Sequence, residues 1–507
     1  MNKRRTWQAI LFSDTGILIL LGLLRSVPLL LTNGQSGWHR DELDTLDNAR
    51  YLAWGYVAYP PLAPFIARVA LTLFGPSLVG VRLFSTLAHA VAMVLAGLMA
   101  RELGGRRWAQ VTAAIAAAIA PYALLGGGLF HYSSFDYLWW VSIAYLMVRL
   151  LKSGDARWWL GIGAVIGVGM MTKYTLAFLV AGIIVGVILT RARRHLASPW
   201  LWGGVALALL IVLPNLVWQI QHDFISLDFM RSIHARDVRI GRAEGYLIEQ
   251  LVFTTNVVTI PFWVAGLYCY FFARMGQSYR PLGWMFLVPF LLFLVTQGRS
   301  YYLAPAYPML FAGGAVIVEQ WLTSLSATRA RVVRGITWGA FAVGGVVFAP
   351  VALPIAPVNS RLWNVVSEIN GELKEEIGWP ELVETVAGIY ATLPAEDKPQ
   401  AGILTGNYGE AGAINLYGPA YGLPKAISGV NSYWLRGYGD PAPQTLIVVG
   451  IESTRARSLF ESCKPAGQIT NRYGVRNEET REHPVILLCR GPRQPWPELW
   501  KRLRSFG

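Results

Sequence analysis

The stretch 10–31, ILFSDTGILILLGLLRSVPLLL, follows the basic start MNKRR, and its reading decides the fold class. At 1.5 Å of rise per residue it is long enough as a helix to cross a hydrocarbon layer of roughly 30 Å. It exceeds the apolar core of a secretory leader, and no small-residue cleavage site follows it, so an uncleaved anchor with its N-terminus inside is expected. Further apolar runs occur near 77–100, 108–125, 135–151, 158–172, 174–190, 200–219, 246–272, 282–297, 301–322 and 335–354. The expectation is a polytopic α-helical membrane protein of about 11 transmembrane helices. Every second connection reads as basic: MNKRR, RELGGRR, KSGDAR, RARRH, ARMGQSYR and ATRARVVR. That alternation follows the positive-inside rule and sends the C-terminus outside.

Composition supports this class. Hydrophobic residues make up 54% of the 507, charged residues 15%, and mean hydropathy is +0.40, which excludes a soluble cytosolic enzyme. The net charge of +14 lies entirely in residues 1–357, with 28 Lys and Arg against 14 acids; residues 358–507 hold 16 of each. Membrane orientation and anionic lipid account for that excess, and nucleic acid is excluded as a partner. The three Cys exclude a disulfide scaffold and show no C-x-x-C spacing. Twenty Trp, 22 Tyr and 21 Phe exceed what lipid-facing helices need, so many should line interfaces or a pocket, for which a sugar is one occupant.

Beyond Pro357 the pattern becomes soluble. Apolar runs at 401–404, 445–449 and 484–489 read as strands, alternating with helical stretches near 365–377, 381–393 and 497–503. The expected organisation is a transmembrane catalytic domain, 1–357, including an outer-face juxtamembrane segment 32–76, followed by a small outer-face α/β domain, 358–507. Cys463 and Cys489 would share an oxidising compartment, and the sequence leaves a disulfide and a pair of buried thiols equally open.

The first outer segment carries Trp38-His39-Arg40-Asp41-Glu42-Leu43 and then Tyr59-Pro60-Pro61-Leu62. Paired carboxylates beside a membrane helix are partly desolvated, which suits general-base work; a solvated loop with a helix-initiating acid is the bland alternative. Asp136 is the only formal charge of the outer connection 126–136 and opens an apolar helix, as a catalytic acid or a helix cap. Outer-face cations run against the charge bias: Arg231, Arg236, Arg239 and Arg242 after the seventh run, Lys173 and Arg299 in other outer turns, and Arg25 and Arg82 toward the outer ends of the first two runs. Snorkelling explains one or two of them, whereas several together point to a phosphate or other acidic group. The run Asn407-Tyr408-Gly409-Glu410-Ala411-Gly412 lacks the Lys of a phosphate-binding loop and reads as a tight strand-to-helix turn. The seven His show no metal-ligand spacing. No metal site or cofactor is implied, and use of a divalent ion is left open.

Taken in order, Arg25, Arg40-Asp41-Glu42-Leu43, Tyr59-Pro60-Pro61-Leu62-Ala63-Pro64, Val81-Arg82-Leu83, Asp136, Thr172-Lys173-Tyr174, Pro214-Asn215-Leu216-Val217-Trp218-Gln219 and Tyr301-Tyr302-Leu303-Ala304-Pro305 resemble the GT-C membrane glycosyltransferases of the protein O-mannosyltransferase and aminoarabinose-transferase type, glycosyltransferase family 39. The resemblance implies an enzyme of the cytoplasmic membrane that moves a sugar from a polyprenyl-monophosphate carrier to a glycan, lipid or protein acceptor on the outer face, with inversion at the sugar. It implies Asp41 as the active-site acid, with Glu42 and Asp136 beside it. Lys173, Arg299, Arg82, Arg25, Arg231, Arg236, Tyr59, Tyr301 and Tyr302 are the residues expected to hold donor phosphate and substrate. Aminoarabinose transferases have a Glu-Lys pair before the Pro-Pro where this chain has Ala58-Tyr59, so the particular sugar and lipid A do not carry over. The rival reading is a transporter or flippase of a lipid-linked sugar; a repeat of the chain's halves would favour it, and none is visible.

Overall fold

The computed structural model describes residues 13–242 and 244–507. The chain forms two compact units: Met1–Asn33, Val81–Gln221 and His234–Ile355 in one, and Gly34–Gly80, His222–Ile233 and Ala356–Gly507 in the other.

The first unit is helical. Six described helices are long and apolar enough to cross a membrane: Asp14–Thr32, Leu78–Glu102, Pro199–Gln221, Arg274–Val295, Ser300–Thr323 and Ala327–Ala352. Three more of the apolar runs form bent pairs, Arg107–Ala118 with Pro121–Gly128 (65°), Leu176–Ile188 with Arg191–Ala197 (100°) and Tyr246–Thr254 with Val257–Phe271 (92°), which raise the number to nine. The first bend falls at Ala120, whose extended backbone is what a following proline imposes. The runs expected at 135–151 and 158–172 are the helices Tyr132–Ser153 and Trp158–Met170. The first carries Asp136, Arg149 and Lys152, and the second spans only about 20 Å. Eleven full-length apolar spans are therefore not present among the described residues. The expected first run begins at 10, and its residues 10–12 lie outside the described part.

Small residues bring these helices together. Ala92, Ala96 and Ala100 of Leu78–Glu102 share a buried cluster with Ala109, Ala113 and Ala116 of Arg107–Ala118. Trp158–Met170 and Pro199–Gln221 approach so closely that a Cβ at Gly163 would collide with the backbone of Gly204.

The second unit is built on a five-stranded sheet in the order β2-β1-β3-β5-β4, with β1 Ala401–Thr405, β2 Ala426–Ser428, β3 Thr445–Val449, β4 Phe460–Gln468 and β5 Val485–Pro492. β1 pairs in parallel with β2 and β3, whereas β5 runs antiparallel to β3 and β4. The core under the sheet joins Leu404, Leu446, Val448 and Leu487 to Trp496, Leu499, Trp500 and Leu503 of the last helix. β1, β3 and β5 are the strands expected from the sequence. β2 is too short to signal itself, and β4 is a polar edge strand with a register shift between Pro465 and Gly467. Cys463 and Cys489 face each other across β4 and β5 and form a disulfide.

The sequence places segment 32–76 with the membrane helices, but its part from Gly34 onward packs with the α/β sheet instead. Polar bonding drives this: Arg50 Nη1 donates to the Asn415 carbonyl at 2.6 Å and the Val57 amide to Ser432 Oγ at 3.0 Å. His222–Ile233 joins the same unit, with Ser226 Oγ donating to the Tyr56 carbonyl at 3.0 Å and Phe229 edge-on to Phe506.

The disulfide closes a loop of 26 residues. Replacing both cysteines by Ser is expected to cost the α/β unit about 3 kcal/mol of stability by freeing its unfolded chain. Thermal unfolding followed by near-ultraviolet circular dichroism checks this.

Candidate functional site

The acidic motif lies on the helix Arg40–Asn48. His39 has extended backbone and stands at its N-cap, with Nδ1 3.2 Å from the Asp41 amide nitrogen. Asp41 and Glu42 occupy the first turn, where the helix dipole favours negative charge. The two acids then part company. Glu42 is fully buried and its Oε2 accepts from the His39 amide at 2.9 Å, completing a capping box. Asp41 keeps a third of its side chain exposed, with Oδ1 accepting from the half-buried Tyr408 hydroxyl at 2.9 Å and His39 Nδ1 at 3.8 Å from Oδ2. The geometry thus gives Glu42 a structural part, whereas Asp41 is the acid of the pair that solvent still reaches.

Tyr408 was not singled out from the sequence. It opens the helix Tyr408–Tyr417, which Asn407 and Glu410 start with their own capping box, so the Gly-rich run is indeed a strand-to-helix turn after β1. Gly412 allows that helix to touch Leu43, since a Cβ there would meet the Leu43 backbone. Other charges hold the motif helix in place. Arg40 bonds Glu375 at 2.5 Å and Glu478 at 2.7 Å, with Glu479 at 4.0 Å. His39 Nε2 meets Glu372 at 2.7 Å, and Arg436 binds both Asp47 and Asn48. Tyr59, expected near the donor phosphate, instead donates to Asp44 within this network and accepts from Asn48 at 2.6 Å.

A second cluster lies within the helical unit. Lys173 sits in the turn between Trp158–Met170 and Leu176–Ile188, a turn that Trp139 steadies by donating to Thr172 Oγ1 at 3.0 Å. The buried Nζ donates to Ser133 Oγ at 3.0 Å and faces the rings of Tyr302 at 4.1 Å, Tyr301 at 5.3 Å and Tyr132 at 5.5 Å. Three rings around one ammonium are a cation–π cage. Asp136, three residues beyond Ser133 on the same helix face, interacts with Lys173 through charge while its Oδ1 accepts from Trp140 Nε1 at 3.1 Å.

Arg299 extends this cluster, its Nη1 donating to the Tyr301 hydroxyl at 3.3 Å and its Nε to Asp237 Oδ2 at 2.6 Å. Arg236 and Arg242 also face Asp237, at 3.6 Å and 3.8 Å. Burial works against the Asp237 charge, but Arg299, Arg242 and Arg236 hold it below the usual carboxylate range. Three guanidinium groups around one carboxylate leave this corner positive. Lys173, Asp136, Arg299, Arg236, Tyr301 and Tyr302 are thus brought together.

The other expected cations are elsewhere. Arg82 is fully buried and donates to the Asn33 carbonyl at 3.0 Å, and Arg25 donates to the Ala123 carbonyl at 2.6 Å, so both tie helix ends to neighbours. Arg231 belongs to the other unit and is exposed beside Asp228 at 3.7 Å. Among the described residues no group of three His, Cys, Asp or Glu is placed to hold a metal.

Comparison with known proteins agrees with the resemblance in both sequence and fold. Residues 58–218 match the family model described as dolichyl-phosphate-mannose-protein mannosyltransferase. The chain is similar to the lipid A galacturonosyltransferase RgtD of Rhizobium johnstonii, 27% identical over 213 residues, covering 41% of this chain and 44% of that one. It is also similar to the undecaprenyl phosphate-alpha-4-amino-4-deoxy-L-arabinose arabinosyl transferase of Pseudomonas paraeruginosa, 27% identical over 265 residues, covering 48% and 43%. The chain spans less than half the length of these curated relatives. In fold it resembles ArnT from Cupriavidus metallidurans, solved with undecaprenyl phosphate, at a TM-score of 0.53 and 16% identity, covering 93% of this chain and 97% of that one. The Archaeoglobus fulgidus oligosaccharyltransferase is similar at 0.53 and 11%, covering 87% and 69%. The fold is therefore that of the GT-C membrane glycosyltransferases.

Two outcomes are expected. Although burial pulls the His39 imidazole down, Glu372 and Asp41 raise it to about 9, so its contribution is complete below the ordinary value near 6.5 and is lost as pH rises through 9. Burial raises Asp44 to about 7, Glu410 to about 8 and Glu479 to about 7; the folded unit thus holds protons the unfolded chain releases, and these groups remove stability between pH 4 and 8. Melting temperature of the α/β unit should fall from pH 5.5 to 9, and Glu410→Gln should flatten the lower part of that fall. In the helical unit, Lys173→Met keeps the apolar stem inside the tyrosine cage and removes the charge. The melting temperature in nanodiscs should change little, because the stem keeps its apolar contacts; a marked fall would make the charge part of the fold.

Proposed function

We propose that this chain is a membrane glycosyltransferase that moves a sugar from a polyprenyl-monophosphate carrier to an acceptor on the outer face of the cytoplasmic membrane. The observation that carries the reading is the caged Lys173, joined through Tyr301 to Arg299. A buried ammonium held by rings and one hydroxyl keeps its charge available for an anion, and an arginine beside it supplies a two-pronged donor. The ArnT structure was solved with undecaprenyl phosphate, and the relatives include a lipid A galacturonosyltransferase, which favours a lipid-phosphate donor and a lipid acceptor.

In this scheme Lys173 and Arg299 stabilise the negative charge that develops on the departing lipid phosphate. Asp41 removes the proton from an acceptor hydroxyl as that hydroxyl attacks the anomeric carbon, and a single displacement inverts the sugar. The acceptor oxygen–carbon bond forms as the carbon–phosphate oxygen bond breaks, and the phosphate leaves with the bonding pair. Tyr408 donates to Asp41 and so orients the carboxylate that takes the proton. Asp136 balances the charge of Lys173. The disulfide supports an oxidising, outer-face location for the α/β sheet. Reporter fusions at Arg193 and Gly402 should report opposite compartments, and the same compartment for both would overturn that orientation.

Purified protein in nanodiscs, offered a panel of polyprenyl-phosphate sugars with a lipid acceptor, should consume one donor and release the polyprenyl phosphate. Asp41→Asn is nearly isosteric and should fold while losing roughly 10²- to 10⁴-fold in turnover. Tyr408→Phe should lose less and move the acid limb of the pH profile upward, because a carboxylate stripped of a donor takes up its proton more readily. Donor binding without consumption under every acceptor offered would overturn the enzymatic reading.

A further inference from the structure

A cleft of about 250 Å³ opens at a different place in the helical unit, lined by Leu189, Thr190, Arg191, Arg193, Gln277 and Arg280. Two segments form it. One is the sharp bend between Leu176–Ile188 and Arg191–Ala197, which Thr190 makes by accepting from the Ala192 amide at 3.2 Å; the other is the turn that starts the helix Arg280–Val295. Three arginines therefore line one cavity, and no acid does. Among the described residues no carboxylate pairs with Arg191 or Arg193, and Arg280 spends one nitrogen on the Phe271 carbonyl at 3.3 Å. This differs from the corner around Asp237, where a carboxylate partly compensates the arginines.

The surroundings fix the depth of the cleft in a bilayer. Leu189 on its wall is 60% exposed, and Ile188 just before it is exposed as well, so lipid chains reach its edge. Past Arg191–Ala197 the helix Pro199–Gln221 begins with exposed Trp200 and Trp202, the latter donating to the Leu196 carbonyl at 2.9 Å. Tryptophans at the start of an apolar helix mark the headgroup level. Both segments, RARRH and ARMGQSYR, also belong to the basic connections that the positive-inside rule assigns to the inner face.

We propose that this cleft binds the phosphate of an anionic phospholipid headgroup of the inner leaflet. Arg191, Arg193 and Arg280 contact the phosphate oxygens, Thr190 and Gln277 are placed to bond the polar headgroup, and Leu189 lies along the first part of an acyl chain. Three arginines, two neutral polar side chains and one leucine line the cleft, and a lipid headgroup with its acyl chain matches that combination. Neither the donor nor the acceptor of the proposed reaction is involved.

The test compares retained lipid by native mass spectrometry after release from nanodiscs of phosphatidylcholine and phosphatidylglycerol. The combined variant Arg191→Gln, Arg193→Gln, Arg280→Gln should retain about tenfold less phosphatidylglycerol than the wild type, since each arginine at a membrane surface contributes attraction of order RT or more. A control variant, Arg329→Gln, Arg331→Gln, Arg334→Gln, removes the same charge from the exposed start of another helix and should retain the lipid as the wild type does. Equal loss in both variants would reduce the effect to net charge and overturn the site. Equal retention by wild type and cleft variant would overturn it too. Displacement of the lipid by millimolar inorganic phosphate would assign the cleft to a soluble anion and overturn the headgroup assignment. Should the combined variant fail to fold, Arg193→Gln and Arg280→Gln alone, one from each segment, must each lower retention; no loss in either would refute the proposal.

Discussion

The guanidinium of Arg40 is the group on which the polar unit is assembled. Its partners Glu375 and Glu478 come from connections more than three hundred residues along the chain, and Glu479 stands just beyond them. Burying a cation is costly unless carboxylates surround it, and burying several carboxylates is equally costly without that cation. Each side therefore requires the other. With Arg40 in place, His39 reaches Glu372, Gly412 admits Leu43, and Asp41 arrives under the hydroxyl of Tyr408. An acidic motif is thereby turned into a carboxylate of defined orientation.

The same physics acts differently in the helical unit, where the cation Lys173 is met by aromatic faces rather than by a bonded carboxylate. Rings attract a cation without neutralising it, so the ammonium keeps its pull on an incoming anion. Asp237 does the opposite for Arg299, Arg236 and Arg242: it orders three arginines at the expense of one of their charges. A phosphate-binding surface needs both devices, one to keep charge available and one to hold long side chains in place.

Proteins with this fold share little sequence with the chain, 16% and 11% for the two solved relatives that cover most of it. What persists is the fold, which apolar packing maintains without demanding particular side chains at most positions. The match to the family model covers 58–218, the part that includes Asp136 and Lys173.

From the sequence alone, hydropathy and charge alternation determined the membrane class, because lipid solvates only long apolar helices and the inner loops carry the arginines. The same patterns marked β1, β3 and β5, the acid Asp41 and the cation Lys173, each of which stands out against its neighbours. Local patterns could not decide where a chain of ordinary apolar length would bend, so the eleven runs became six full spans, three bent pairs and the two further helices Tyr132–Ser153 and Trp158–Met170. Nor could they show that Glu42 is a cap, that Arg25 and Arg82 serve carbonyls, or that Tyr59 belongs to Asp44. Those roles depend on which distant group a side chain meets when water is removed, and segment 34–80 joins the α/β sheet for that reason. Tyr408 gave no signal at all, since a tyrosine in a turn is unremarked until the fold sets its hydroxyl against a carboxylate 367 residues away.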